Sequence, residues 1–70
     1  MITWSTVTSS NIAMVGYDVG ASELHIRFNS GAEYVYRGVP VTVFDDLMNA
    51  PSKGKFLAEA IKGRYEYIKL

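Results

Sequence analysis

Between Glu23 and Arg37 the chain has few options other than to fold back on itself as a β-hairpin. Leu24, Ile26 and Phe28 alternate with Glu23, His25 and Arg27, and a period of two sets the two groups on opposite faces of a strand. Asn29-Ser30-Gly31 follows, a run of turn-forming residues. Glu33-Tyr34-Val35-Tyr36-Arg37 then reads as the returning strand. A three-residue loop whose glycine takes the left-handed position is a favoured hairpin. It pairs Phe28 with Ala32, Arg27 with Glu33, Ile26 with Tyr34 and Leu24 with Tyr36. Both tyrosines then share the apolar face, Tyr36 is buried against the second helix, and Arg27 and Glu33 form an ion pair on the other face. A two-residue loop would instead set the tyrosines beside His25 and Arg27, because a slip of one residue exchanges the faces. The three-residue register is the favoured one.

The remaining elements are read by the same periodicities. Ile12 to Asp18 mixes β-branched, aromatic and small residues and stops at Asp18-Val19-Gly20, a strand and a turn. After Gly38 the period changes. Pro40 suits the first turn of a helix, where its missing N–H would be unpaired anyway. Val43, Phe44, Leu47 and Met48 form one helical face, and Thr42, Asp45, Asp46 and Asn49 the other. Pro51 biases Ala50 away from helical angles and ends that helix. Ser52 caps a second helix, in which Phe56, Leu57, Ala60 and Ile61 repeat the apolar spacing and Gly63 marks the end. The tail from Arg64 to Lys69 alternates and leaves open a short edge strand. The predicted architecture is α+β: a three-stranded antiparallel β-meander followed by two short amphipathic helices. Met1 to Ser10 stays unassigned, with Trp4 expected to cover one edge of the core.

Seventy residues make one small domain. Apolar residues are 49% of the chain and charged residues 20%, a globular rather than a disordered balance. There is no cysteine, which excludes a disulfide scaffold, a cysteine nucleophile and thiolate metal sites. The first ten residues have no basic start and no apolar run, so no secretory signal is expected. No stretch approaches the ~20 apolar residues needed to span a bilayer. A cytoplasmic location and no membrane partner are the expectations.

The net charge of zero argues against a strongly basic nucleic-acid binder. It also hides an asymmetry. Residues 1–52 set Arg27 and Arg37 against Asp18, Glu23, Glu33, Asp45 and Asp46, a balance of −3. Residues 53–70 set Lys53, Lys55, Lys62, Arg64 and Lys69 against Glu59 and Glu66, a balance of +3. The basic end reads either as a solvated helix face or as a patch that meets phosphates.

One ordered set of residues carries a family resemblance. Val15-Gly16-Tyr17-Asp18, Leu24 to Phe28, Gly31, Tyr34-Val35-Tyr36, Gly38-Val39-Pro40, Phe44, Leu47, Ala50, Ser52, Gly54, Phe56, Ile61 and Tyr65 stand in a spacing that resembles the KTSC domain. The resemblance covers about residues 9–67 and centres on Tyr34 and Tyr36 followed by Val39-Pro40. That family is named for a short segment at the C-terminus of some lysyl-tRNA synthetases and also occurs as free-standing small bacterial or phage proteins. The resemblance implies an RNA-binding role, an association and not a mechanism. It brings no catalytic residue.

The candidate sites follow. Tyr34 and Tyr36, if exposed, present two rings on a sheet, the device that stacks bases of single-stranded RNA. If they face the helices they are core. Ser52-Lys53-Gly54-Lys55 opens the second helix, where free N–H groups, the positive dipole end and two lysines suit an anion. The alternative there is an ordinary capped start with solvated lysines. The segment is not a Walker loop, since the leading glycine and the terminal Lys-Ser/Thr pair are missing. Lys62 and Arg64 extend the basic set, and Lys55 and Lys62, seven apart, are expected on one helical face. His25 is the sole histidine, expected on a polar strand face with no partner for metal binding and no nucleophile motif. Asp45 and Asp46 point about 100° apart and do not form a paired-carboxylate site. Tyr65 and Tyr67 interleave with Arg64 and Lys69, a pattern that suits nucleic acid or a packing tail.

Two functions compete: an RNA-binding module with its contacts in the C-terminal quarter, and a protein-interaction domain that docks on a partner or on itself. The chain is expected not to be an enzyme and to need neither cofactor nor metal.

Overall fold

The computed structural model describes residues 2–70; Met1 lies outside them. The hairpin forms as its turn chemistry dictates. β1 spans Ile2–Thr6, β2 Ile12–Asp18, β3 Glu23–Phe28 and β4 Glu33–Arg37. Between β3 and β4, the Phe28 amide donates to the Ala32 carbonyl at 2.8 Å and the Gly31 amide returns to the Phe28 carbonyl at 2.9 Å. Gly31 takes φ 95°, a region only glycine enters cheaply. The register is Arg27↔Glu33, Ile26↔Tyr34 and Leu24↔Tyr36, as the three-residue loop requires. Arg27 and Glu33 pair at 2.9 Å.

The sheet is larger than the three strands read from the sequence. It has five antiparallel strands in the order β1-β2-β3-β4-β5. β5, Tyr67–Lys69, is the edge strand that the alternating tail left open. It is held by the Arg37 amide on the Glu66 carbonyl (2.8 Å) and the Leu70 amide on the Glu33 carbonyl (2.9 Å). β1 comes from the unassigned N-terminal segment and pairs Trp4 with Gly16. That pairing depends on a notch. A Cβ on Gly16 would stand 2.8 Å from Ile2 Cγ2 and 2.9 Å from the Trp4 ring. Trp4 therefore lies flat on the sheet, on the face away from the helices and not at the core edge expected of it.

The helices cover the other face. α1 spans Val41–Asn49 and starts one residue later than the proline suggested: Pro40 is the extended N-cap. Its carbonyl accepts from the Val43 amide at 3.0 Å. Ala50 is extended, so the helix ends before Pro51. α2 spans Lys53–Phe56, with Ser52 Oγ accepting from the Lys55 amide at 3.3 Å. It then widens into a π-helical turn, Leu57–Ile61, closed by the Lys62 amide on the Leu57 carbonyl at 2.8 Å. Lys62 itself is extended, and Gly63 follows at φ 78°.

Leu47, Leu57 and Ile61 from the helices meet Val15, Tyr17, Leu24, Ile26 and Tyr36 from the sheet in one buried cluster, joined by Ile12 and Val39. Val39 explains its place in the Tyr34/Tyr36/Val39/Pro40 motif. Its side chain is core, its carbonyl accepts from the Tyr17 hydroxyl, and its amide donates to Ser22. Phe44 stacks on Tyr17 with ring centroids 5.0 Å apart. No described helix is long and apolar enough to cross a membrane.

Candidate functional site

Because strand partners share a face, the register Ile26↔Tyr34, Tyr34↔Lys69 and Tyr36↔Tyr67 puts three tyrosines and Lys69 on the helix-facing side of the sheet. The helical segment ends at Ile61, before it covers them all. The result is a groove of about 490 Å³ lined chiefly by Phe28, Tyr34, Tyr36, Tyr67, Lys62 and Gly63. Ring centroids lie 5.4 Å apart for Tyr34 and Tyr67, 5.7 Å for Tyr36 and Tyr67, and 6.4 Å for Tyr34 and Tyr36. Phe28 meets Tyr34 edge-on at 5.5 Å. Exposure grades outward: Tyr36 is 2% exposed, Tyr34 half-buried and Tyr67 57% exposed. The core arrangement expected of the pair holds fully for Tyr36 and only partly for Tyr34. Tyr36 is core, and the groove presents Tyr34 and Tyr67.

Burial raises the Tyr36 phenol above its ordinary value near 10, and the neighbouring Tyr34 and Tyr67 hydroxyls add to the effect. The folded state therefore keeps this proton at a pH where the unfolded chain releases it. Stability from this group is full below about pH 10 and falls as pH rises from there through the folded value. The urea midpoint should hold to pH 9.5 and decline above pH 10, and Tyr36→Phe should flatten that decline. An identical decline in the variant would show that another group is responsible.

The π-helical turn decides where Lys62 goes. A π turn holds more residues than an α turn, and the chain becomes extended at Lys62. Lys55 and Lys62 therefore do not share a helical face, contrary to the seven-residue spacing. Lys62 lines the aromatic groove. Ser52, Lys53, Gly54 and Lys55 line a separate recess of about 430 Å³, against the loop of Thr8 to Asn11. There the Lys53 ammonium is engaged with the Ala50 carbonyl at 3.0 Å, and Lys55 stands 3.9 Å from Glu59. Ser52 Oγ is occupied as the cap. Arg64 Nε turns back to the Glu59 carbonyl at 3.4 Å.

His25 is not on a solvated strand face. It is 8% exposed, under Trp4, whose ring meets it edge-on at 5.8 Å. Its nitrogens stand 3.8 Å from Glu23 and 3.9 Å from Glu33, and neither has a hydrogen bond. Arg27 lies over the Trp4 ring at 4.8 Å. Among the described residues no three His, Asp or Glu side chains are grouped as metal ligands. Asp45 and Asp46 are exposed.

A five-stranded antiparallel meander, two short helices on one face and an aromatic groove where they stop together define a small α+β domain with a ring-lined recess. The chain belongs to the KTSC domain family, whose sequence model matches residues 8–65. It is 44% identical over 64 residues to a protein of Tsukamurella paurometabola, covering 91% of this chain and 96% of that one. It is 43% identical over 54 residues to a lysine–tRNA ligase of Trichormus variabilis, covering 77% of this chain. The matched region spans only 10% of the ligase. The crystal structure of a KTSC domain protein from Yersinia pestis superposes with a TM-score of 0.95 at 36% identity, over 100% of this chain and 99% of that one.

Proposed function

We propose that the domain is a non-catalytic module that binds single-stranded RNA. The observation that carries this reading is the groove, whose lining brings Tyr34, Tyr67 and Lys62 together. Rings accept the face of any base, and the ammonium meets phosphate. Lys69 shares the sheet face with Tyr34, and Arg64 lies in the loop between Lys62 and β5. The kinship with lysine–tRNA ligases, whose name places them on an RNA, supports the same reading.

Binding of a short single-stranded RNA, measured at two salt concentrations, tests this. Two or three phosphates give a log–log slope of about −1.4 to −2.1 for a single strand. Lys62→Ala should weaken binding and flatten the slope by roughly 0.7, while Lys55→Ala, in the other recess, should change it little. No binding at low salt would end this reading.

A second reading rests on a different observation. Ile68 and Leu70 are exposed on and beside the edge strand β5, and an open strand edge is a place where another chain can add. Self-association in a sizing experiment, abolished by Ile68→Glu with the monomer still folded, would favour the protein-interaction function.

A further inference from the structure

The Tyr36 hydroxyl has an unusual situation. The residue is almost wholly buried, yet it lines the groove. Among the described residues no protein group hydrogen-bonds to the hydroxyl of Tyr34, Tyr36 or Tyr67, whereas the Tyr17 hydroxyl is satisfied by the Val39 carbonyl. The three rings sit close together, with centroids 5.4 to 6.4 Å apart. The Tyr36 hydroxyl, without a protein partner, is not sealed from solvent, and its residue lines the groove, so it is free to meet a polar group placed there. Each hydroxyl both donates and accepts, which suits the mixed polar edge of a heteroaromatic ring. The aromatic walls suit the face of such a ring, and among the described residues Lys62 is the cation that lines the groove.

We infer that the groove is a slot for one unpaired nucleotide, its base against Tyr34 and Tyr67, its polar edge toward the Tyr36 hydroxyl and its phosphate on Lys62. This inference rests on the RNA-binding reading and adds that recognition is of a single base out of its stack. A base held in a duplex cannot offer its face or its pairing edge, so the slot discriminates against paired strands. Purines and pyrimidines both stack, and the larger ring system stacks better, so a purine should be held more tightly than a pyrimidine.

An amide NMR titration of the full chain with adenosine monophosphate, adenosine, uridine monophosphate and inorganic phosphate tests the slot. Adenosine monophosphate should shift Phe28, Tyr34, Lys62, Gly63 and Tyr67 saturably, more tightly than the uridine compound. Adenosine should bind the same residues several-fold more weakly. Lys62→Ala should bring the monophosphate down to the adenosine level. Tyr36→Phe keeps the ring and the core while removing the hydroxyl, and should weaken the monophosphate by about two- to tenfold, the value of one hydrogen bond. A thermal melt of the variant confirms that it is folded. Equal shifts from inorganic phosphate would mean an anion site only and overturn the slot, as would shifts elsewhere or an unchanged affinity in Tyr36→Phe. RNA binding with no mononucleotide in the groove overturns the slot and leaves the RNA-binding reading standing. A mononucleotide in the groove with no RNA binding supports the slot and overturns that reading.

Discussion

Replacing Tyr36 by alanine should cost about 3–5 kcal/mol of stability, as truncation of a buried aromatic does. The side chain is 2% exposed, faces Leu24 across the strands and belongs to the cluster that includes Leu57 and Ile61. A domain of this size has a margin of only about 5–15 kcal/mol at best, so the variant should melt far below the parent or fail to fold. Tyr36→Phe separates ring from hydroxyl and should stay within about 1.5 kcal/mol of the parent. Urea unfolding of the two variants gives the numbers. A loss under about 1 kcal/mol for alanine would mean that Tyr36 is not in the core.

Gly16→Ala should cost about 1–3 kcal/mol, by overpacking and not by lost contact. The added methyl would meet both Ile2 and Trp4 at under 3 Å, and the Trp4 ring cannot retreat without leaving His25 and Arg27. The expected consequence is that β1 lifts from the sheet edge. Trp4 is the chain's only tryptophan, so its fluorescence reports this directly, shifting to the red and becoming more readily quenched by iodide. An unchanged spectrum with unchanged stability would show that β1 does not rest on that notch.

The parts of the fold that were legible are those in which two independent signals agree. The β3–β4 hairpin had both strict alternation and a glycine at the third loop position, so face and register followed together. Ser52 announced its cap because the hydroxyl needs only the third amide onward, a local contact. The parts that were not legible depend on partners distant in sequence. β1 shows β-branched residues, but its apolar members Ile2 and Trp4 pack on the empty side of Gly16, and absence of a side chain leaves no periodic mark. His25 looked solvated because its own strand alternates correctly; its cover comes from β1. The π-helical turn was hidden because Phe56, Leu57, Ala60 and Ile61 fit an α-helix over one turn as well as a π turn. That ambiguity misplaced Lys62. The groove was half visible: Tyr34 and Tyr36 were singled out as a ring pair, but Tyr67 joins them only through the β4–β5 register.

Binding of a labelled single-stranded RNA to the parent and to Tyr67→Ala, at low and moderate salt, tests the central claim most directly. Tyr67 is 57% exposed and on an edge strand, so its loss should leave the fold intact. One stacked base is worth about 1–3 kcal/mol, so affinity should fall roughly 5- to 150-fold while the salt slope stays the same, since no phosphate contact is removed. Equal affinity of parent and variant would contradict recognition through the aromatic groove.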